Sequence, residues 1–145
     1  MPPQPVANPR SGSDQEKEES VQYHRFSDLN EEWMSEKLSR RLVVGKNEML
    51  GYVFLKKGCH VQPHKHLSEQ ITVILKGALE FETQGKKIVV KEDETLLIPS
   101  QVEHSAVALE DTIDLDCFSP LREDWLTGRD HYLRDSDPSP KQNSD

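Results

Sequence analysis

Cysteine is nearly missing from this chain. Only Cys59 and Cys117 occur among 145 residues, and neither sits in a CxxC pair. That excludes a disulfide framework and leaves a reduced, cytoplasmic protein as the expectation. Aromatic residues are few, at 6%, which argues against a wide, aromatic-lined pocket. No apolar run approaches the roughly 18 residues of a membrane span, so no membrane partner is expected. Positive charge is in deficit as well: 18 Lys and Arg stand against 26 Asp and Glu, for a net charge of −8. Binding to nucleic acid through a basic surface is therefore not expected. An anionic small molecule stays open as a ligand, because a pocket's own charge decides that.

Apolar residues make up only 34% of the chain, and much of the shortfall lies at its ends. Residues 1–20, "MPPQPVANPRSGSDQEKEES", offer almost nothing to bury and read as a disordered tail. They lack the apolar core of a secretory signal. The closing stretch over 134–145 reads the same way, leaving residues 21–133 as one domain.

Within that domain, "SDLNEEWMSEKLSRR" (27–41) has Leu29, Trp33, Met34 and Leu38 at helix-like spacing. Ser27 or Asp28 stands ready as a cap, so a short helix is expected there. From Arg41 the texture changes to short runs rich in β-branched residues: "RLVVG", "MLGYVFLKKG", "QITVILKGALEFETQG", "KKIVVKEDE", "TLLIPS", "HSAVAL" and "TIDLDCFSP". Runs of this length and spacing predict an all-β fold, a small antiparallel barrel. Gln84-Gly85 suits a hairpin turn. In "QITVILKG", the set Gln70, Thr72, Ile74 and the set Ile71, Val73, Leu75 occupy opposite faces of a strand, and both are largely apolar. An exposed barrel wall should have one polar face. A homodimer that covers the second face is therefore expected.

The stretch "GCHVQPHKHLSEQ" (58–70) holds two histidines one residue apart. On a strand, His64 and His66 point to the same side, with Cα atoms about 6.6 Å apart. Gln70 lies at an even offset from both, while Glu69 should face away. His104 follows a proline-containing turn, "IPSQVEH", and opens the strand "HSAVAL". Three imidazoles and one amide oxygen make a plausible ligand set for one divalent transition metal, with Zn, Ni, Mn, Fe, Co and Cu all open. His24, His60 and His131 have no such context.

These residues resemble a known superfamily. Gly58-x5-His64-x-His66-x3-Gln70-x6-Gly77 is similar to the first cupin motif, G-x5-H-x-H-x3-E-x6-G. Pro99-x-Gln101-x2-His104 resembles the core of the second, P-x-G-x2-H. The resemblance covers roughly residues 40–120. It implies a single cupin jelly-roll barrel, a double-stranded β-helix, with a metal inside bound by His64, His66, Gln70 and His104. Gln101 stands where the motif has a turn glycine. Gln70 stands where it has glutamate, which leaves a bound divalent ion with both its charges. Such a site should attract anions and act as a stronger Lewis acid.

The stretch "ALEDTIDLDCFSPLREDWL" (108–126) is similar to the end of small cupins of the pectin-degradation, KdgF type. That resemblance implies linearisation of 4,5-unsaturated uronates to open-chain keto-uronates, and it carries family positions onto Asp116, Phe118 and Arg122. The residue types suit those roles. Asp116 can move a proton as general acid/base or orient a metal-bound histidine. Arg122 can anchor a carboxylate or pair with Glu123 or Asp124. Phe118 would wall a substrate pocket or pack in the core, and Trp33 and Trp125 read as packing residues. An enzyme is favoured. The other readings are a cupin dioxygenase, a polyketide cyclase and a noncatalytic sugar-binding module.

Overall fold

The computed structural model describes residues 19–134. The tails expected over 1–20 and 134–145 lie outside that range, except for Glu19, Ser20 and Arg134. Ten strands run in chain order: β1 (Glu32–Ser35), β2 (Leu38–Val44), β3 (Met49–Leu55), β4 (His60–His64) and β5 (Glu69–Lys76), then β6 (Ala78–Thr83), β7 (Lys86–Lys91), β8 (Thr95–Ile98), β9 (His104–Ala108) and β10 (Thr112–Ser119). Two one-turn helices follow, α1 (Glu123–Leu126) and α2 (His131–Arg134).

The strands form two antiparallel sheets, with the orders β1-β2-β3-β10-β5-β8 and β4-β9-β6-β7. Their inner faces share one apolar core that includes Leu38, Leu55, Ile74, Leu79 and Phe81. This is the all-β cupin barrel that the two motifs imply. The Gln84–Gly85 turn between β6 and β7 is as expected, with both residues at positive φ (52° and 76°).

The helix expected over 27–41 is not there. A 3-10 turn at Phe26–Asp28 gives way to the hairpin β1–β2, and the only α-helices among the described residues lie after the last strand. Pairing outweighs the helical spacing. Residues 38–44 pair along β3 from Leu38↔Leu55 to Val44↔Met49. Period two then puts Leu38 and Arg40 in the wall. Arg40 is 1% exposed and bonded to Asp130, 2.8 Å away in the loop before α2. No local helix could supply that partner.

Strict alternation also sets the inner lining of β5 and β10. Gln70, Thr72 and Ile74 are buried, and so are Asp114, Asp116 and Phe118, while the residues between them face outward. The register places Phe118 opposite Gln70, Asp116 opposite Thr72 and Asp114 opposite Ile74. Gly77 ends β5 at φ 91°. A Cβ there would lie 2.5 Å from Asp111 O and from Thr112 Oγ1, so the motif's last glycine is required by both backbone and space.

Candidate functional site

His64, His66 and His104 gather at one end of the barrel, with one ring nitrogen of each within 4.8 Å of the others. They do not share a strand, as their spacing suggested. His64 ends β4 in the four-stranded sheet, His66 sits in the crossing to the other sheet, and Gln70 lies on β5 within that sheet. A register shift between Val61 and His64 interrupts β4 before His64 pairs with His104. His104 opens β9 directly across from His64. Glu69 is exposed, as expected. The crossing is tied down where Gln101 N donates to His66 O at 2.8 Å. Gln101 holds φ 65°, the left-handed conformation that glycine takes more readily.

The tautomers follow from the backbone. Nδ1 of His64, His66 and His104 donates to the carbonyls of Gln62, Ser68 and Val102 at 2.8, 2.9 and 2.9 Å. A carbonyl only accepts, so Nδ1 carries the proton and each Nε2 presents a lone pair inward. Nε2 of His104 is buried with no partner. Burial, followed by repulsion from His104, lowers the His64 pKa to about 3. Burial and then Arg122 lower that of His66 to about 4. His104 is lowered by burial as well. Neutral imidazoles with converging lone pairs are the donor set a transition metal takes. Gln70 Oε1 adds an oxygen 3.1 Å from His66 Nε2. The four residues therefore fit a bound metal ion.

Beneath this cluster stand two buried carboxyl groups. Asp116 Oδ1 accepts from Thr72 Oγ1 at 2.7 Å. Burial raises the Asp116 pKa, while Asp114, Thr72 and Arg122 favour its anion. Asp114 is driven well above the ordinary carboxylate range, first by burial and then by Asp116. Of the two, Asp114 is pushed up further, because Asp116 adds to the effect of burial there, whereas Thr72 and Arg122 oppose burial at Asp116.

Arg122 lies just past β10, with a side chain only 2% exposed. It is not a surface arginine. Its guanidinium pairs bidentately with Asp124 at 3.0 and 2.9 Å and lies 4.9 Å from the centroids of both Phe118 and Trp125. Burial pushes the Asp124 carboxyl up, but its bonds to Arg122 hold it below the ordinary value. Phe118 is buried edge-on to His66 and lines the same cavity, so it serves the core and the pocket at once.

Sequence reading did not single out Thr72, Asp114 or Tyr132. The first two share a face with Gln70 and Asp116, a signal that period two carries. Tyr132 lies on α2, beyond the matched motifs. Its ring stacks on His64, with centroids 4.3 Å apart, and its hydroxyl meets Arg122 and accepts from Trp125 Nε1 at 3.2 Å. With Tyr132 in place the cavity offers about 50 Å³, room for a few water molecules at roughly 10–15 Å³ each. His24, His60 and His131 take no part in the cluster, and Trp33 packs against Phe54 on the outer face.

Comparison with known proteins agrees with this fold. Residues 51–119 match the model of the cupin domain. The chain is similar to the pectin degradation protein KdgF of Dickeya dadantii, at 28% identity over 106 residues that cover 70% of this chain and 96% of that protein. The fold is similar to the solved structure of KdgF from a Halomonas species, with a TM-score of 0.68 and 27% identity over 72% of this chain and 99% of that one. It also resembles an RmlC-like cupin from Shewanella frigidimarina, with a TM-score of 0.68 and 24% identity, over 73% of this chain and 96% of that one. That last likeness is one of fold alone. The chain is similar to the KdgF cupins in motif, sequence and architecture.

Proposed function

We propose that this cupin is a metal-dependent enzyme that opens a small 4,5-unsaturated uronate, of the galacturonate type, to its open-chain keto-uronate. One observation carries the reading. His64 and His104 of the imidazole cluster, Gln70, the buried Asp116 and a buried Arg122 line a single cavity. A relative named for pectin degradation supports a pectin-derived substrate.

His64, His66, Gln70 and His104 would hold one divalent transition metal, which supplies Lewis acidity toward an oxygen of the substrate. Arg122, whose Nε and Nη2 already pair with Asp124, would hold the substrate carboxylate through its remaining N–H donors. Asp116 takes the proton of the ring hemiacetal hydroxyl. The bond from C1 to the ring oxygen then breaks, leaving an aldehyde at C1 and an enolate at C5. The same proton returns to C4 as the enolate becomes a ketone, so the net change is an isomerisation. Asp116 is placed to carry that proton, and Phe118 gives the apolar wall that keeps bulk water off the carboxyl group.

The apolar outer face of β5 and β8 supports the homodimer, since Ile71, Leu75 and Leu97 are 42%, 42% and 53% exposed there. A molar mass of one chain in light scattering would rule the dimer out.

The function is tested by a ¹H NMR time course on freshly generated 4,5-unsaturated galacturonate. The metal-loaded protein should remove the vinylic C4 signal faster than the spontaneous rate, and the His66→Ala/His104→Ala variant should not. Equal rates in both samples would end the uronate reading.

A further inference from the structure

We infer that Thr72 is a positioning residue, whose hydroxyl fixes which end of the Gln70 amide faces the histidine cluster and ties that choice to Asp116. The inference rests on the metal-binding reading given above. It begins with an asymmetry in the barrel wall. Gln70 and Thr72 sit two residues apart on the inner face of β5, and Asp116 stands across from Thr72 on β10. Thr72 is wholly buried. Gln70 Nε2 donates to Thr72 Oγ1 at 2.8 Å, and Thr72 Oγ1 donates to Asp116 Oδ1 at 2.7 Å.

A hydroxyl has one proton to give. Here it goes to Asp116, so the Thr72 oxygen can only accept from its other neighbour. Gln70 must therefore turn its NH2 toward Thr72, and its oxygen is left 3.1 Å from His66 Nε2, aimed at the cluster. If the Thr72 proton were free to turn to Gln70, the amide could flip and present an NH2 to the three imidazole lone pairs. No metal accepts that donor.

The same logic accounts for glutamine where the cupin motif has glutamate. A carboxylate at position 70 has no N–H for Thr72, so two carboxylates would compete for one hydroxyl proton in a buried wall. Glutamine resolves the conflict. It accepts toward the metal position, donates toward Thr72, and leaves the whole Thr72 proton to Asp116. Gln70 and Thr72 form a matched pair, and Asp116 sets its direction.

The test measures Co(II) binding by competition with a chelator, together with the visible d–d spectrum of the Co(II) form, in Thr72→Val, Thr72→Ser, Asp116→Ala and the Thr72→Val/Asp116→Ala double variant. Valine keeps the shape and removes the hydroxyl. It should weaken Co(II) about 10–100-fold and change the spectrum, as loss of a ligand-orienting partner does. Serine should restore both. Asp116→Ala, which removes no ligand, should also weaken Co(II), and the double variant should lose no more than the worse single. Thr72→Val that melts and binds Co(II) like the parent overturns the inference. So do additive losses, which also decide the matter through Asp116→Ala if valine compromises folding. A parent protein that binds no Co(II) fails the metal reading itself. A parent that binds Co(II) without turning over uronate fails only the substrate, and the affinity ratios still judge Thr72.

Discussion

His66 Nε2 and Gln70 Oε1 face each other at 3.1 Å with no proton between them. The His66 proton is on Nδ1, given to Ser68 O. Two lone pairs at that distance repel each other unless a cation lies near both. Removing the metal with a chelator should therefore abolish turnover and also destabilise the fold. At a metal concentration 100 times Kd the bound ion contributes about 2.7 kcal/mol. A lower Tm after chelation, restored by adding metal back, checks this in a calorimeter.

Gln70→Glu should separate metal affinity from substrate affinity. The carboxylate is the better donor and should tighten metal binding. It also removes one net positive charge from the pocket, so KM for an anionic uronate should rise about tenfold, near 1.4 kcal/mol. An unchanged KM would show that Gln70 does not tune the site for anions.

The pH dependence of metal binding should be unusually flat. Protons compete with a metal for imidazole only below the imidazole pKa. With His64 lowered to about 3 and His66 to about 4, both are already neutral at pH 5. Affinity should hold steady from pH 7.5 down to about pH 5 and fall only below that. Ordinary histidines, near 6.5, would weaken it throughout that window. Calorimetric titrations in buffers of different ionisation enthalpy should show almost no proton release at pH 6.5.

Arg122→Lys should keep the charge and lose the fork. The expected result is a KM raised roughly 10–100-fold with a smaller change in kcat, the scale of a charged hydrogen bond worth about 1.5–3 kcal/mol. Steady-state kinetics on the uronate decide it. If kcat falls and KM stays put, Arg122 acts in the chemical step and not as the anchor.

Tyr132→Phe tests the mouth of the cavity. The tyrosine hydroxyl occupies a face of the Arg122 guanidinium that a substrate carboxylate would need. Removing it leaves the ring stacked on His64 and frees the donor. Small carboxylates should then inhibit more strongly, by several-fold, which competition kinetics measure.

Much of this architecture can be read in the chain, for physical reasons. Period two sorts the residues of β5 and β10 into their two faces, but both faces of β5 are largely apolar, so which one turns inward is decided by the pairing of the sheets. The histidine spacing reveals a ligand cluster, although the geometry behind it is a crossing between sheets and not one strand. The stretch at 27–41 misleads because Leu29, Trp33, Met34 and Leu38 fit a helical stripe, while the strand pairing and the ion pair that prevail depend on residues far along the chain. Asp114 shares its face with Asp116, but the upward push on its carboxyl depends on burial, which the sequence does not print. Tyr132 carries no local signal at all.

Arg40 reaches Asp130 at 2.8 Å and Glu32 at 3.1 Å, and Arg134 closes the ring at 2.9 and 2.7 Å to the same two acids. The span that matches the cupin model ends at residue 119. The cooperative unit does not. A fragment trimmed to residues 51–119 would discard Arg122 and Tyr132, and would also remove the hairpin that carries Arg40. Even a milder cut that removed only α2 and the loop before it would take Asp130 from the buried Arg40 and leave it the partly exposed Glu32 alone. The homology boundary and the smallest stable piece of this protein are therefore different objects, and shortening the chain from its C-terminal side should cost solubility before it costs chemistry.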